Sequence, residues 1–131
     1  MEAKQFMVAA ANPKAVEAGY AILKKGGSAL DAYVAVQAVL GLVEPQSSGL
    51  GGGAFAVYYD AKSQKLTTFD GRETAPQAAT PELFQHKDGT TFKFYDAVIG
   101  GRSVGTPGTV ALMRALHEQG GQLSWKALFE P

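Results

Sequence analysis

The sequence of 131 residues contains no cysteine, which excludes disulfide bonds and any metal site built from thiolates. Only 18% of the residues are charged, and 12 basic residues balance 12 acidic ones. A net charge of zero argues against nucleic acid as the main partner, because surfaces that bind phosphate are basic. The two histidines, His86 and His117, are not spaced as metal ligands, so neither a metal nor another cofactor is predicted.

Long apolar segments are also missing. The longest apolar run, residues 32–43, contains Gln37 and Gly41 and is too short to span a bilayer, so no membrane insertion is predicted. The first residues after Met1 lack the apolar core of a secretory signal. The compartment therefore stays open between a cytoplasmic protein and a chain that begins after a removed signal.

The apolar fraction of 46% is typical of a globular protein, and two helices are predicted near the start of the chain. Asn12 followed by Pro13 is a favourable helix start, and Gly26-Gly27 after two lysines is a typical helix end. The residues from Ser28 to Asp31 resemble a capping box. The second helix, from residue 29 to 43, is apolar nearly all round and is expected to be buried on most sides.

A glycine-rich loop, EPQSSGLGGGAF at residues 44–55, joins the second helix to a predicted β-hairpin of strands 54–59 and 65–70. Because both faces of the first strand are apolar or amphipathic, we expect a sheet covered on both sides. The loop lies between a helix and a strand, which disfavours a phosphate-binding motif and favours close backbone packing. Ser47 and Ser48 lack the sequence context of nucleophiles and are expected to bond local backbone.

The remainder of the chain is interrupted by prolines. A helical turn is predicted at residues 81–84, a short strand at 91–95, and a helix from Gly108-Thr109 to about Gln119 whose apolar stripe is Val110, Met113 and Leu116. His86 and His117 are expected at the surface.

The end of the sequence predicts a further short helix. Ser124 is expected to be its N-cap, and Trp125, Leu128 and Phe129 form an apolar face. Such a face at the end of a chain favours more protein beyond residue 131, and the alternative is a short terminal helix docked on the core.

The strongest candidate for a binding residue is Arg72, which follows the second predicted strand in FDGRETAP, residues 69–76. A guanidinium at this position could hold a substrate carboxylate through two parallel hydrogen bonds. An ion pair with Asp70 or Glu73 is an equally good interpretation. The glycine-rich segment of residues 100–109 could receive an anion, although an ordinary tight connection capped by Thr109 is favoured.

Taken together, the sequence resembles the gamma-glutamyltransferase family, a branch of the N-terminal-nucleophile hydrolases. The matching stretches are MVAAANPKAVEAGYAILKKGGSALDA, GLVEPQSSGLGGGAF, DGRETAP, GGRSVGTPGTV and LSWKALFEP, and they span almost the whole chain. The resemblance implies an α/β (α+β) fold, the αββα sandwich of these hydrolases, of which residues 1–131 are a single segment from the N-terminal part of the large chain. It also implies a precursor that cuts itself into a large and a small chain.

In that family the new terminal threonine of the small chain attacks the gamma-glutamyl amide, and the glutamyl group passes to an amine or to water. The arginine of DGRETAP binds the alpha-carboxylate, so the resemblance assigns that role to Arg72. The threonine segment is absent from this sequence, so no catalytic residue is assigned and the segment alone is predicted to be inactive. The implied partners are gamma-glutamyl small molecules, the remainder of the large chain and the small chain, in a periplasmic or extracellular location.

Two alternatives remain open. One is a cephalosporin-acylase-like amidase on the same scaffold. The other is a non-catalytic module that forms homo-oligomers through an exposed apolar surface at Trp125, Leu128 and Phe129.

Overall fold

Helices pack on one side of a two-stranded hairpin in this computed structural model, which describes residues 3–131. The α-helices and strands of these residues are α1 Pro13–Lys24, α2 Ala29–Val43, β1 Ala54–Asp60, β2 Lys65–Gly71, α3 Phe94–Val98 and α4 Thr109–Gly120. Two short 3-10 helices, Gly101–Ser103 and Trp125–Phe129, complete them.

The predicted starts of the first two helices are confirmed. The Asn12 side chain accepts a hydrogen bond from the backbone N of Lys14 at 3.0 Å. Ser28 and Asp31 form both halves of a capping box, with the Asp31 backbone N donating to Ser28 Oγ at 3.1 Å. Both starts depend on side chains within three residues of the backbone groups that they satisfy, which is why local sequence predicts them.

The core lies between α1, α2 and α4. Gly19 of α1 faces α2 so closely that a β-carbon there would lie 2.6 Å from Val36 Cγ2. Leu128, which is 1% exposed, packs into the same core from the terminal 3-10 helix. The buried cluster consists of Ala18, Ile22, Ala32, Val34, Ala35, Met113 and Leu128.

The hairpin buries only one of its faces among residues 3–131. Its inner face, which includes Ala56 and Phe69, packs against Leu112 and Leu116 of α4. On its outer face Phe55 and Val57 are 59% and 72% exposed. The expectation of a sheet covered on both sides is therefore wrong for the part of the chain that the structure describes, because no described element lies over the outer face.

Two elements after the hairpin differ from prediction. The strand expected at residues 91–95 is absent, because Thr91 finds only a single bridge partner, Gln85, and α3 begins at Phe94. In α4 the buried residues are Thr109, Leu112, Met113 and Leu116, whereas Val110 is 47% exposed. The apolar stripe is thus rotated away from Val110.

The terminal segment adopts a 3-10 helix whose N-cap position is Ser124, as predicted, although the Ser124 side chain makes no capping hydrogen bond. Leu128 is buried and Trp125 is partly buried, which leaves Phe129 as the exposed residue of the predicted apolar face. The segment is docked on the core, and it does not present the surface on which the oligomer hypothesis depended.

Candidate functional site

Three loops that are distant in sequence meet at one end of the hairpin. The carbonyl oxygen of Gly52 accepts hydrogen bonds from the backbone N atoms of Gly108 and Thr109, at 3.0 and 3.1 Å. Thr74 and Thr106 form an isolated antiparallel bridge, with N–O distances of 3.3 and 2.8 Å. The glycine-rich loop, the Arg72 turn and the 100–108 segment are therefore joined by backbone hydrogen bonds.

Glycine is required where these backbones cross. A β-carbon at Gly53 would lie 2.7 Å from the carbonyl oxygen of Gly71 and 2.8 Å from the Cα atom of Arg72. A β-carbon at Gly108 would overlap the same carbonyl oxygen of Gly71. At Gly53, the glycine-rich loop therefore packs closely against other backbone, as predicted, whereas Gly49 and Gly51 have no atom within 4 Å of a β-carbon.

Arg72 lies directly after β2, in the turn that these contacts hold. Its backbone N donates to Asp70 Oδ1 at 2.9 Å. Within residues 3–131 no ion pair joins its guanidinium to Asp70 or Glu73, so the ion-pair interpretation has no support. The exposed side chain lines a cavity of about 360 Å³ and a neighbouring one of about 520 Å³.

The smaller cavity lies between the Arg72 turn and two other segments of the chain. Leu83 and Phe84 form one wall, and the segment from Arg102 to Gly105 forms another. Charged side chains are contributed by Arg72, Glu73 and Arg102. The sequence interpretation did not identify Arg102, although an arginine inside a glycine-rich segment was the available signal.

Hydroxyl groups of the glycine-rich loop are used to hold the loop in place. Ser48 Oγ accepts a hydrogen bond from Gln37 Nε2 of α2 at 2.9 Å, rather than bonding local backbone as predicted. The backbone N atoms of Ser47 and Ser48 both donate to the Glu44 carbonyl oxygen. Among the described residues neither histidine is hydrogen-bonded to Ser47 or Ser48, so no nucleophile–base pair forms.

Glu44 connects this loop to the start of α1. Asn12 Nδ2 donates to Glu44 Oε1 at 3.0 Å, and Gln46 Nε2 donates to the other oxygen at 2.5 Å. These hydrogen bonds, that of Asn12 foremost, lower the pKa of the Glu44 carboxyl below its ordinary value.

The two histidines have different environments. His86 is exposed and lies edge-on to Phe92, as expected for a surface group. His117 is partly buried, and its Nε2 lies 2.8 Å from the carbonyl oxygen of Leu123. His117 is therefore a structural residue between α4 and the terminal segment, and its predicted surface location is wrong.

Residues 3–131 contain no group of three or more His, Asp or Glu side chains arranged to hold a metal ion. No helix in this part of the chain is long and apolar enough to cross a membrane.

The helices on one face of the hairpin agree with a part of the αββα sandwich that the sequence resemblance implies. Comparison with known proteins gives the family. Residues 15–131 match the gamma-glutamyltranspeptidase family, and the chain belongs to that family, as part of its N-terminal portion.

Individual relatives agree with this assignment. The glutathione hydrolase proenzyme of Bacillus subtilis strain 168 is 44% identical over 128 residues, which are 98% of this chain and 22% of that protein. The crystal structure of Helicobacter pylori gamma-glutamyltranspeptidase superposes with a TM-score of 0.90 at 34% identity, over 100% of this chain and 37% of that chain. The cephalosporin acylase of Bacillus halodurans gives a TM-score of 0.74 at 30% identity, over 92% of this chain and 22% of that chain.

The fold class predicted from the sequence is confirmed as the N-terminal portion of an N-terminal-nucleophile hydrolase. The chain spans about a fifth of the length of the curated relatives that it matches.

Proposed function

We propose that this chain is part of a gamma-glutamyltransferase or glutathione hydrolase. Such an enzyme transfers a gamma-glutamyl group from an amide donor to an amine or to water, through a threonine nucleophile that is not among these 131 residues. Membership of the family and the 44% identity to a glutathione hydrolase proenzyme over 98% of this chain support this activity. The proposed substrates are gamma-glutamyl compounds, and the proposed location is periplasmic or extracellular.

In this proposal residues 1–131 act as one segment, the N-terminal part of a large chain. The remainder of the large chain and a small chain would be its partners and would supply the attacking hydroxyl. Without that hydroxyl the segment does not turn over substrate. The exposed outer face of the hairpin, with Phe55 and Val57, supports a requirement for further protein.

Arg72 is the proposed substrate-binding residue, and one observation carries the proposal. Arg72 is an exposed residue that lines a cavity at the meeting point of three loops, and its guanidinium has no ion pair among residues 3–131. A planar guanidinium with unused donors binds a carboxylate through two parallel hydrogen bonds. The proposed ligand is the alpha-carboxylate of the glutamyl group, as the family resemblance implies.

The experiment is to replace Arg72 with Lys and with Ala in the full-length enzyme. One hydrogen bond to a charged group is worth about 1.5–3 kcal/mol, so loss of the pair is expected to raise KM for gamma-glutamyl substrates by at least about 10-fold. Lysine keeps the positive charge but lacks the two parallel N–H donors of a guanidinium, so we expect KM for Arg72→Lys to lie between those of the wild type and Arg72→Ala. Arg114, which pairs with Glu118 on the surface of α4, is a matched control. An unchanged KM for both Arg72 variants would remove Arg72 from the site.

The cephalosporin-acylase-like amidase is the second candidate, because that neighbour shares the fold at 30% identity. Assay of the full-length enzyme on a gamma-glutamyl amide and on a cephalosporin amide separates the two activities. Preference for the cephalosporin amide favours the second candidate.

A further inference from the structure

Arg102 is held against the cavity wall by two contacts. Its Nη1 donates to the carbonyl oxygen of Leu83 at 3.1 Å, across 19 positions of sequence. Its guanidinium carbon lies 4.6 Å from the centre of the Phe92 ring, within the range of a cation–π interaction. Phe92 is itself fixed, because its backbone N donates to the carbonyl oxygen of Phe84 at 2.9 Å. The loop that forms the cavity wall therefore also positions the Arg102 side chain.

These contacts leave most of the hydrogen-bonding capacity of Arg102 unused. A guanidinium carries five N–H donors, and the Leu83 carbonyl is the acceptor that its side chain meets within residues 3–131. A guanidinium that is stacked and anchored loses little further entropy when it binds a carboxylate. Arg102 is thus prepared to bind an anionic group at the cavity.

The charges around the cavity define the ligand that it suits. Arg72, Arg102 and Glu73 line the same space of about 360 Å³ and together carry one net positive charge. A gamma-glutamyl peptide has an alpha-carboxylate, an alpha-ammonium and a C-terminal carboxylate, and so one net negative charge. The cavity volume is within the range of small-molecule sites.

We propose that Arg102 is a specificity-determining residue that binds the C-terminal carboxylate of a gamma-glutamyl peptide, while Arg72 binds the carboxylate of the glutamyl end. The inference rests on the proposed function of Arg72 and extends it to a second position in the same cavity. It makes the enzyme selective for donors with a free carboxylate beyond the scissile amide. Arg102 would not touch the reacting atoms, so it affects selectivity and not the chemical step.

The test compares two donors in the full-length enzyme, a gamma-glutamyl dipeptide and the same dipeptide with its C-terminus amidated. The wild-type enzyme is expected to prefer the free carboxylate in kcat/KM by about tenfold, the value of one charge-assisted hydrogen bond weakened by solvent. Arg102→Gln abolishes this preference by raising KM for the dipeptide, and leaves KM for the amide unchanged. Arg102→Lys retains part of the preference. Arg114→Gln, which removes an exposed arginine outside the cavity, leaves the preference intact.

Each remaining outcome overturns the inference in a distinguishable way. Equal use of both donors by the wild-type enzyme, or a preference that survives Arg102→Gln, refutes the role of Arg102 while the proposed function stands. An equal loss on both donors shows that Arg102 only supports the loop through Leu83 and Phe92. No turnover of either donor by the wild-type enzyme overturns the proposed function, and the role of Arg102 with it.

Discussion

Asp31 is the buried residue whose replacement we expect to be most damaging, because one carboxylate joins two parts of the chain. Its side chain is fully buried, and Oδ2 accepts hydrogen bonds from the backbone N atoms of Ser28 and Gln122, each at 2.8 Å. Longer contacts from Ser28 Oγ and the Leu123 backbone N, at 3.2 and 3.4 Å, reach the same oxygen. Asp31 thus caps α2 and also binds the connection after α4, 91 positions away.

The magnitude of the effect follows from these bonds. Each hydrogen bond to a charged group is worth about 1.5–3 kcal/mol, so the loss of the two short ones costs about 3–6 kcal/mol. Part of this is offset, because Asp31→Ala also removes the buried Oδ1, which has no hydrogen-bond partner among the described residues and lies 3.8 Å from His117 Nε2. We therefore expect a net loss of about 2–4 kcal/mol, a large fraction of the stability of a typical domain.

Urea denaturation of the 131-residue chain, followed by the fluorescence of Trp125, measures this loss, since Trp125 is the single tryptophan of the sequence. Ser28→Ala is the matched variant, because it removes the capping hydroxyl at a cost of about 1 kcal/mol and keeps the Gln122 contact. Asp31→Asn keeps an acceptor oxygen without the charge and is expected to lie between the two. Amide exchange at Gln122 should accelerate in Asp31→Ala and stay slow in Ser28→Ala. If Asp31→Ala were no more destabilising than Ser28→Ala, the link between α2 and the α4 connection would be refuted.

Two further predictions concern the loop that contains the glycines. Gly53→Ala is expected to destabilise the chain by about 1–3 kcal/mol in urea denaturation, because its β-carbon would meet the Gly71 carbonyl oxygen. Gly51→Ala is the matched control. Its β-carbon would have no atom within 4 Å, so we expect it to change stability by less than about 0.5 kcal/mol. Equal effects of the two would contradict the close packing. Asn12→Ser keeps an oxygen to cap α1 but loses the hydrogen bond to Glu44, whose pKa is lowered in the folded state. The stability that this hydrogen bond contributes is complete above the unfolded pKa of a glutamate, about 4.3, and is lost as the pH falls through the lower folded pKa. The difference in free energy of unfolding between wild type and Asn12→Ser should therefore become smaller in acid. A larger difference in acid would argue against the hydrogen bond.

The elements that the sequence predicted correctly are those fixed by neighbouring residues. The start of α1 depends on Asn12 and Pro13, and the start of α2 on the capping box of Ser28 and Asp31. The hairpin follows from two apolar segments separated by a polar turn. In each case the groups that stabilise the element lie a few positions apart, so that the local pattern contains the necessary information.

The predictions that failed depend on what packs against a segment. Residues 91–95 have the composition of a strand, but a strand needs a partner, and Gln85 supplies a single bridge. His117 was expected at the surface because its contacts with Leu123 and Trp125 exist only once the terminal segment folds back on α4. The position of Arg102 likewise depends on a loop near Leu83 that no local pattern identifies.

The exposed outer face of the hairpin lies next to the candidate site, which has no nucleophile among the described residues. Phe55 on the outer face pairs with Asp70, which is two positions before Arg72. A further layer of the protein placed on that face would therefore approach the rim of the cavity that Arg72 lines. Under the proposed function, the protein that covers the exposed Phe55 and Val57 and the protein that supplies the nucleophile would both come from outside these 131 residues. Because burial of an apolar face is the main driving force of such packing, we expect association with that remainder to cover the outer face and complete the site together.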